Sequence, residues 1–488
     1  MDEENKLSYL QMPLPQGSTS SKVTKTNWSG LNYRQKHDTG ALSYENNIST
    51  SEAPYLTPSE KRIVYKSGYT KPICMYGFDD FLLVVYNNGA VKIDYINAAG
   101  TKYIGTLGGT DESLRSIVQF NAYDTPTDPV SGNYIKKLLV FPDKKSFDFR
   151  ISADFTPADM NTGLVQVPDI KYAAVHLSRL FGVDDARLFA SGFNDYTNWK
   201  LDTVDEYNES NAWVSPAQSN TKSNTDFTAI TTFQNHVICF KSDYMHELYN
   251  NKNPFRVQDI YADGAMDNRS VVDTNGRLVF TSSDGVKVYT GGQPRILSYP
   301  LNVSKFTKAV AGTNGAKYYL YCSTPQKQHN LFVYDTVVEQ WAQEDIDFEV
   351  LSFAKTTTGL YMLGDNGNIY RVDTGVYSHD WSFETDFFMD KTIDIKHIQK
   401  IQLFADMTAG AKLTAYLLYD DEVFDAAKSH KIYDYTNSSN DPQKVKIRVI
   451  PRMTANYGFK LRVNGFDYAR LYHLEIFVRQ GGNKHLSD

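Results

Sequence analysis

Residues 80–96 read DFLLVVYNNGAVKIDYI and carry the pattern of a β-hairpin. In an extended chain, Leu82, Val84 and Tyr86 share one face of the first run, and the face of the returning run is shared by Val91, Ile93 and Tyr95. Between the two runs, Asn88-Gly89 supplies the positive φ angles that a tight hairpin turn requires. The stretch therefore predicts two antiparallel strands joined by a two-residue turn.

The same arrangement recurs along the chain. Clear copies are GRLVFTSSDGVKVYTGG (276–292) and GLYMLGDNGNIYRVDTG (359–375), and weaker ones are KLLVFPDKKSFDFRI (137–151), HLSRLFGVDDARLFASG (176–192), NHVICFKSDYMHELY (235–249) and KYYLYCSTPQKQHNLFVYD (317–335). The spacing of about 40–50 residues is typical of propeller blades built from four-stranded sheets. We predict an all-β protein in which residues 61–375 form a β-propeller of about seven blades, with the number uncertain by one or two.

A different rhythm begins near Val376. Segments with one apolar and one polar face follow each other closely: HDWSFETDFFM (379–389), KIQLFAD (400–406), KLTAYLLYDD (412–421), QKVKIRVIP (443–451), FKLRV (459–463) and YARLYHLEIFVRQ (468–480). Five or six such strands predict a C-terminal β-sandwich over residues 376–488.

Residues 1–60 read as a third region. They are rich in Ser, Thr, Asn and Gly, and their apolar residues stand singly, so they cannot bury a core of their own. They are either a mobile tail or an extended N-terminal arm. We favour the arm, because spaced aromatic side chains can each fill a pocket on a neighbouring subunit. The candidate interface residues are Trp28, Leu31, Tyr33 and Tyr44.

Composition excludes several classes of protein. The 488 residues include 34 Tyr and 27 Phe but only 5 Trp, a balance that favours sheet over helix. No apolar run approaches the length of a membrane-spanning helix, and residues 1–11 do not resemble a secretion signal. Three separated cysteines indicate neither a disulfide framework nor a zinc site. A net charge of −7 argues against a bulk nucleic-acid binder.

No catalytic motif stands out. The chain has neither a phosphate-binding Gly-Lys-Ser/Thr loop nor a Gly-x-Ser-x-Gly elbow. His236 and His246 share one hairpin without a third metal ligand, and Asp184-Asp185 fits a turn better than a carboxylate pair. We expect no enzyme activity, and no catalytic, metal-binding or cofactor-binding residues.

Charge is distributed unevenly along the chain. Residues 443–488 carry nine Lys or Arg against three acids, a local charge of +6, which leaves −13 on the rest. Two interpretations stay open, a solvated strand face and a basic docking surface for an acidic partner. The candidate docking residues are Lys444, Lys446, Arg448 and Arg462.

Four stretches, in this order, resemble the packaged-DNA stabilisation or tail nozzle proteins of short-tailed bacteriophages and related virion proteins of tailed phages. They are WSGLNYRQKHDTGALSYENNISTSEAPYLTP (28–58), RLFGVDDARLFASGFNDYTNW (179–199), FQNHVICFKSDYMHELY (233–249) and GFKLRV (458–463). Long inserts around residues 126–133 and 208–225 depart from the family pattern. The resemblance rests on the order of these stretches, since no single one is chemically diagnostic.

The resemblance implies a structural virion protein that forms an oligomeric ring in the phage tail. The implied partners are copies of itself in a six-fold ring, the portal and adaptor, other tail proteins, and exiting phage DNA in transient contact. The implied location is the virion, after synthesis in the host cytoplasm. Two other functions stay open: a glycan-processing propeller enzyme and a host-receptor-binding tail module.

Overall fold

The structure is a computed structural model, and it describes residues 9–13, 19–25, 28–34, 41–123, 134–149, 166–203, 206, 208–215, 223–250, 252–388, 395–420, 422–449 and 457–480. These residues form an all-β protein. The only helices among them are two 3-10 turns, Asn268–Ser270 and Tyr299–Leu301.

The first strands of the chain precede the propeller blades. They are β1 (Tyr9–Pro13), β2 (Thr19–Lys25), β3 (Leu42–Asn46), β4 (Ile48–Ser49), β5 (Thr57–Pro58) and β6 (Ile63–Lys66).

Seven consecutive sheets then make up the blades. In chain order their strands are β7 (Pro72–Phe78), β8 (Phe81–Asn87), β9 (Val91–Asn97) and β10 (Gly100–Thr106); β11 (Ser116–Tyr123), β12 (Tyr134–Phe141) and β13 (Lys145–Phe149); β14 (Tyr172–His176), β15 (Arg179–Val183), β16 (Leu188–Ala190) and β17 (Trp213–Val214); β18 (Phe227–Phe233), β19 (His236–Lys241), β20 (Met245–Tyr249) and β21 (Arg256–Tyr261); β22 (Val272–Thr274), β23 (Arg277–Ser282), β24 (Gly285–Tyr289) and β25 (Arg295–Ile296); β26 (Lys308–Thr313), β27 (Lys317–Ser323), β28 (Asn330–Asp335) and β29 (Gln340–Glu344); β30 (Val350–Thr356), β31 (Gly359–Gly364) and β32 (Ile369–Arg371).

The remaining strands belong to the sandwich. They are β33 (Asp380–Thr385), β34 (Lys396–Met407), β35 (Lys412–Tyr419), β36 (His430–Thr436), β37 (Gln443–Val449), β38 (Phe459–Phe466) and β39 (Ala469–Gln480).

The propeller prediction is confirmed. Each hairpin that the sequence singled out forms the second and third strands of one blade, and the Asn88-Gly89 turn joins β8 to β9. Both faces of a blade are buried, because Leu82 and Val84 pack against blade seven while Leu83 and Val85 pack against blade two. A separate apolar cluster lies at every junction between neighbouring blades, including the one between blade seven and blade one.

The N-terminal part of the chain closes this ring. Strand β6 pairs with β32 and becomes the outer strand of blade seven, so one sheet contains segments about 300 residues apart. At the inner edge, Gly77 of β7 lies against the backbone of Lys355 in β30. A Cβ built on Gly77 would lie 2.2 Å from the Lys355 carbonyl oxygen, so only glycine allows this approach.

The prediction of a separate N-terminal arm over residues 1–60 needs correction. Strands β1 and β2 join β39, β34 and β37 in one five-stranded sheet of the sandwich, and β3 joins β33, β38, β35 and β36 in the other. The sandwich is therefore built from both ends of the chain, and not from residues 376–488 alone. Sequence inspection missed the places of these strands in the sandwich, because β2 and β3 pair with β39 and β33, which lie more than 300 residues away.

The Gly77 contact makes a testable prediction about ring closure. Gly77→Ala forces the Lys355 backbone to move, so we expect the free energy of unfolding to fall by about 1–3 kcal/mol in urea titrations. Gly292→Ala is the matched control, since a Cβ there has no heavy atom within 4 Å. Equal stability of the two variants would contradict the close approach of blades one and seven.

Candidate functional surfaces

The predicted arm aromatics lie inside the chain's own core. Trp28 is 3% exposed and packs edge-on against Phe383 in the sandwich, with ring centroids 5.6 Å apart. Leu31 is buried in the cluster between blades five and six, and its N–H donates to the Trp341 carbonyl at 2.9 Å. The hydroxyl of Tyr33 donates to the Gln343 side chain on blade six. These side chains fill pockets, as expected, but the pockets belong to the same subunit.

Arg462 is also placed inside the fold. It is buried, its guanidinium lies 4.3 Å from the Tyr44 ring and 4.6 Å from the Phe424 ring, and it forms a salt bridge with Glu384 at 3.1 Å. Arg462 and Tyr44 therefore stabilise the second sheet of the sandwich. The prediction that they form an exposed interface is corrected, because a guanidinium with aromatic and carboxylate partners is no longer available for docking.

Lys444, Lys446 and Arg448 are exposed, in contrast to Arg462. They lie on β37, where Val445 and Ile447 point the other way, toward the sandwich core. Strand β37 is an edge strand, since the sheet order is β1-β2-β39-β34-β37. Within the described part of the chain, none of the three cations has a carboxylate within salt-bridge distance. We call these three side chains the basic edge.

Two lysines on the outer face of this sheet, one of them in the basic edge, lie over aromatic rings. The Lys446 ammonium lies 4.9 Å from the centroid of Phe404, whose other neighbour is the stacked His473 ring at 4.2 Å. Lys400 lies 4.1 Å over Phe477 on the same outer face. Because lysines already cover these rings, the face presents charge more than open aromatic surface.

The junction between sandwich and propeller is polar and tightly bonded. The Glu45 carboxylate is fully buried and accepts the Gln343 N–H at 2.7 Å, while Asn47 accepts the Asp345 N–H at 2.8 Å. Burial raises the pKa of Glu45 well above its ordinary value, an effect that the hydrogen bond from Gln343 opposes. Arg62 forms a salt bridge with Glu344 at 2.6 Å nearby. The Glu45 and Asn47 contacts join the sandwich to blade six, and Arg62, which directly precedes β6, joins the outer strand of blade seven to blade six.

A cavity of about 280 Å³ lies at the centre of the propeller. Its lining comes from the inner strands and includes Arg269, Lys355 and Tyr76 but no Asp or Glu. Arg269 is held by Asp267, with two N–O distances of 2.9 Å, and by the Leu351 carbonyl. Burial raises the pKa of Cys74 to about 11, so this thiol stays protonated at neutral pH.

The other titratable candidates have structural partners. His246 lies 2.7 Å from Asp259, and His236 lies 3.0 Å from Glu247 on the same blade. Asp184 accepts the N–H of Ala186 at 2.7 Å, which fits the turn predicted at Asp184-Asp185. In the ranges that the structure covers, no group of three or more His, Cys, Asp or Glu residues is placed to hold a metal ion.

The described helices are too short, and none is apolar enough, to cross a membrane.

Comparisons with known proteins address the fold. No protein-family model and no curated protein sequence matches the chain. The chain is similar to Sqt1 of Saccharomyces cerevisiae (12% identity, TM-score 0.39) and to YCF48 of Cyanidioschyzon merolae (9%, 0.39), covering in each case 64% of this chain and 98% of the other. Both are β-propeller proteins.

A third similar structure is the extracellular domain of a hybrid two-component system from B. thetaiotaomicron, at 9% identity and a TM-score of 0.43. The match covers 76% of this chain and 47% of that one.

The buried tryptophan provides a test that separates a core residue from an arm residue. Trp28→Ala removes an aromatic side chain from the sandwich core, so we expect a loss of about 3–5 kcal/mol in the free energy of unfolding. The loss should be independent of protein concentration, because the contact lies within one chain. Tyr457→Ala, at a side chain that is 58% exposed, is the control. A loss that vanishes on dilution would favour a contact between subunits.

The buried carboxylate makes a prediction about pH. Because the folded-state pKa of Glu45 is raised, its contribution to stability is present below its ordinary pKa and is lost as the pH rises through the folded value. Glu45→Gln removes this loss, so its stability relative to wild type should rise by about 1.4 kcal/mol for each pH unit in that window. Urea titrations between pH 4 and 8 measure the difference. Parallel profiles for both proteins would contradict a buried, proton-binding Glu45.

Proposed function

We propose that this protein is a structural component of a short-tailed bacteriophage tail, in which copies of it form a ring that DNA crosses on leaving the particle. The observation that carries the proposal is the union of propeller and sandwich into one stiff body. Both ends of the chain pair into sheets with distant segments, and Glu45 and Asn47 bond the sandwich to blade six. A body of this kind suits a load-bearing ring better than a hinged enzyme.

The surface charge of the propeller supports a role beside DNA. On the face that holds the connections between blades, the described loops carry fifteen acidic and eight basic side chains. An acidic wall repels phosphate, so DNA would slide past it without binding. In this proposal DNA passes through the lumen between subunits, because the cavity on the propeller axis is far too small for a duplex.

The axial cavity argues against the glycan-processing alternative. A typical glycosidase holds two carboxyl groups on either side of the scissile bond, about 5–10 Å apart. The residues that line the axial cavity include no carboxylate, and the nearby Asp267 is engaged by Arg269. Burial raises the pKa of both the Cys74 thiol and the Tyr76 hydroxyl in that lining, so both groups stay protonated at neutral pH.

The size of the purified protein in solution tests the proposal. One chain weighs 55.4 kDa, and we expect mass photometry to show a discrete multiple, six chains by family resemblance, with a hollow ring in negative-stain images. A particle that stays at the mass of one chain over the whole accessible concentration range would contradict the proposal. So would turnover of any member of a glycan panel, or binding of the isolated protein to intact host cells.

A further inference from the structure

The first sheet of the sandwich has two edges without a strand partner in the described chain. One edge is β37, which carries the basic edge, and the other is β1. An edge strand presents a row of backbone N–H and C=O groups that can pair with another chain. A single subunit therefore offers two different sheet edges, which is the requirement for head-to-tail association.

The directions of the two edge strands are compatible with such a contact. Four antiparallel pairings separate β1 from β37, through β2, β39 and β34, so β1 and β37 run the same way. Copies placed side by side in one orientation would then bring β37 of one alongside β1 of the next as a parallel pair. A rotation between copies closes such a series into a ring.

Charge complementarity indicates which segment binds the basic edge. The residues that precede β1 read MDEENKLS and include Asp2, Glu3 and Glu4 against one lysine. In a parallel pair the amino end of β1, which these acids precede in sequence, lies beside the amino end of β37, where Lys444 is exposed. The cations of the basic edge have no carboxylate within salt-bridge distance among the described residues of their own chain.

We propose that the basic edge of one subunit (Lys444, Lys446 and Arg448) docks against the N-terminal edge of a second copy, formed by β1 and the acidic residues before it. This inference rests on the proposed self-assembly and names the contact that makes it. The sandwich sheets of neighbouring copies then form a continuous band around the ring. A competing explanation is that edge lysines only prevent unwanted strand pairing, as they do in many sheets.

Charge reversal tests the contact. The triple variant Lys444→Glu, Lys446→Glu, Arg448→Glu changes three exposed side chains, so the fold should be kept. Unfolding in urea should show at most a small loss of stability, because Lys446 contacts Phe404 and Lys444 lies opposite Asp406. We expect the dissociation constant of the ring, measured by mass photometry on dilution, to rise about tenfold or more. The matched control is Lys412→Glu, Lys428→Glu, Lys431→Glu, which makes the same change in net charge on exposed lysines of β35, β36 and the loop between them. The control should assemble as wild type does.

A compensating variant identifies the partner. Adding Asp2→Lys, Glu3→Lys and Glu4→Lys to the reversed basic edge should restore assembly, because the charges are exchanged between the two edges. Rings that persist in the reversed variant, equal loss in the control, or absence of rescue would each overturn this contact. Wild-type protein that never forms rings would overturn the proposed function instead, so the two failures can be told apart.

Discussion

A blade of this propeller cannot exist with either face exposed, and that constraint determines the rest of the molecule. Each four-stranded sheet is apolar on both sides, as Leu82 and Leu83 show by packing in opposite directions. The blades must therefore close into a ring, since an open row would expose one apolar face of the first blade and one of the last blade to water. Blade seven meets this requirement by taking its outer strand, β6, from the start of the chain.

Closure of the propeller by β6 explains where the sandwich lies. Once β6 is paired with β32, the residues on either side of the propeller in sequence emerge close together. The chain before β6 and the chain after β32 then build the two sandwich sheets jointly, with β3 next to β33. Residues 28–34 and strand β3 lie against the outer strand of blade six, where Leu31 and Glu45 are buried. Stiffness is the physical result, and it is the property on which the proposed ring depends.

The sequence predicted the elements whose partners lie nearby. The hairpin formed by the second and third strands was recognisable in all seven blades, because its apolar pattern and turn residues are contained in about 15 residues. The N-terminal strands were not, since β3 acquires its apolar environment only when residues 380–385 pair with it. The β-bulge at Tyr472 likewise could not be predicted from the alternation of apolar and polar residues. It separates Leu471 and His473 in the pairing with β34, so Tyr472 leaves the face that Leu474 occupies.

The predicted docking residues differ in the same way: some are exposed as the local sequence pattern predicts, and one is buried by distant partners. Lys444, Lys446 and Arg448 were placed correctly on an exposed face, because strict alternation with Val445 and Ile447 is a local signal. Arg462 follows an equally alternating pattern but is buried, since Glu384 and two aromatic rings reach it from distant strands. Sequence alone carries no sign of these partners, so a count of basic residues overstates the basic surface.

The most direct test of this account is whether one chain closes its own propeller. Ile63 and Arg371 face each other in the pairing of β6 with β32, and both are exposed. Cysteines at directly opposed positions of an antiparallel pair are close enough to form a disulfide, and the natural cysteines are buried. On oxidation, Ile63→Cys/Arg371→Cys should give a disulfide within one chain and run as a monomer on a non-reducing gel. Covalently linked dimers or larger species would show that β6 closes the ring of another subunit.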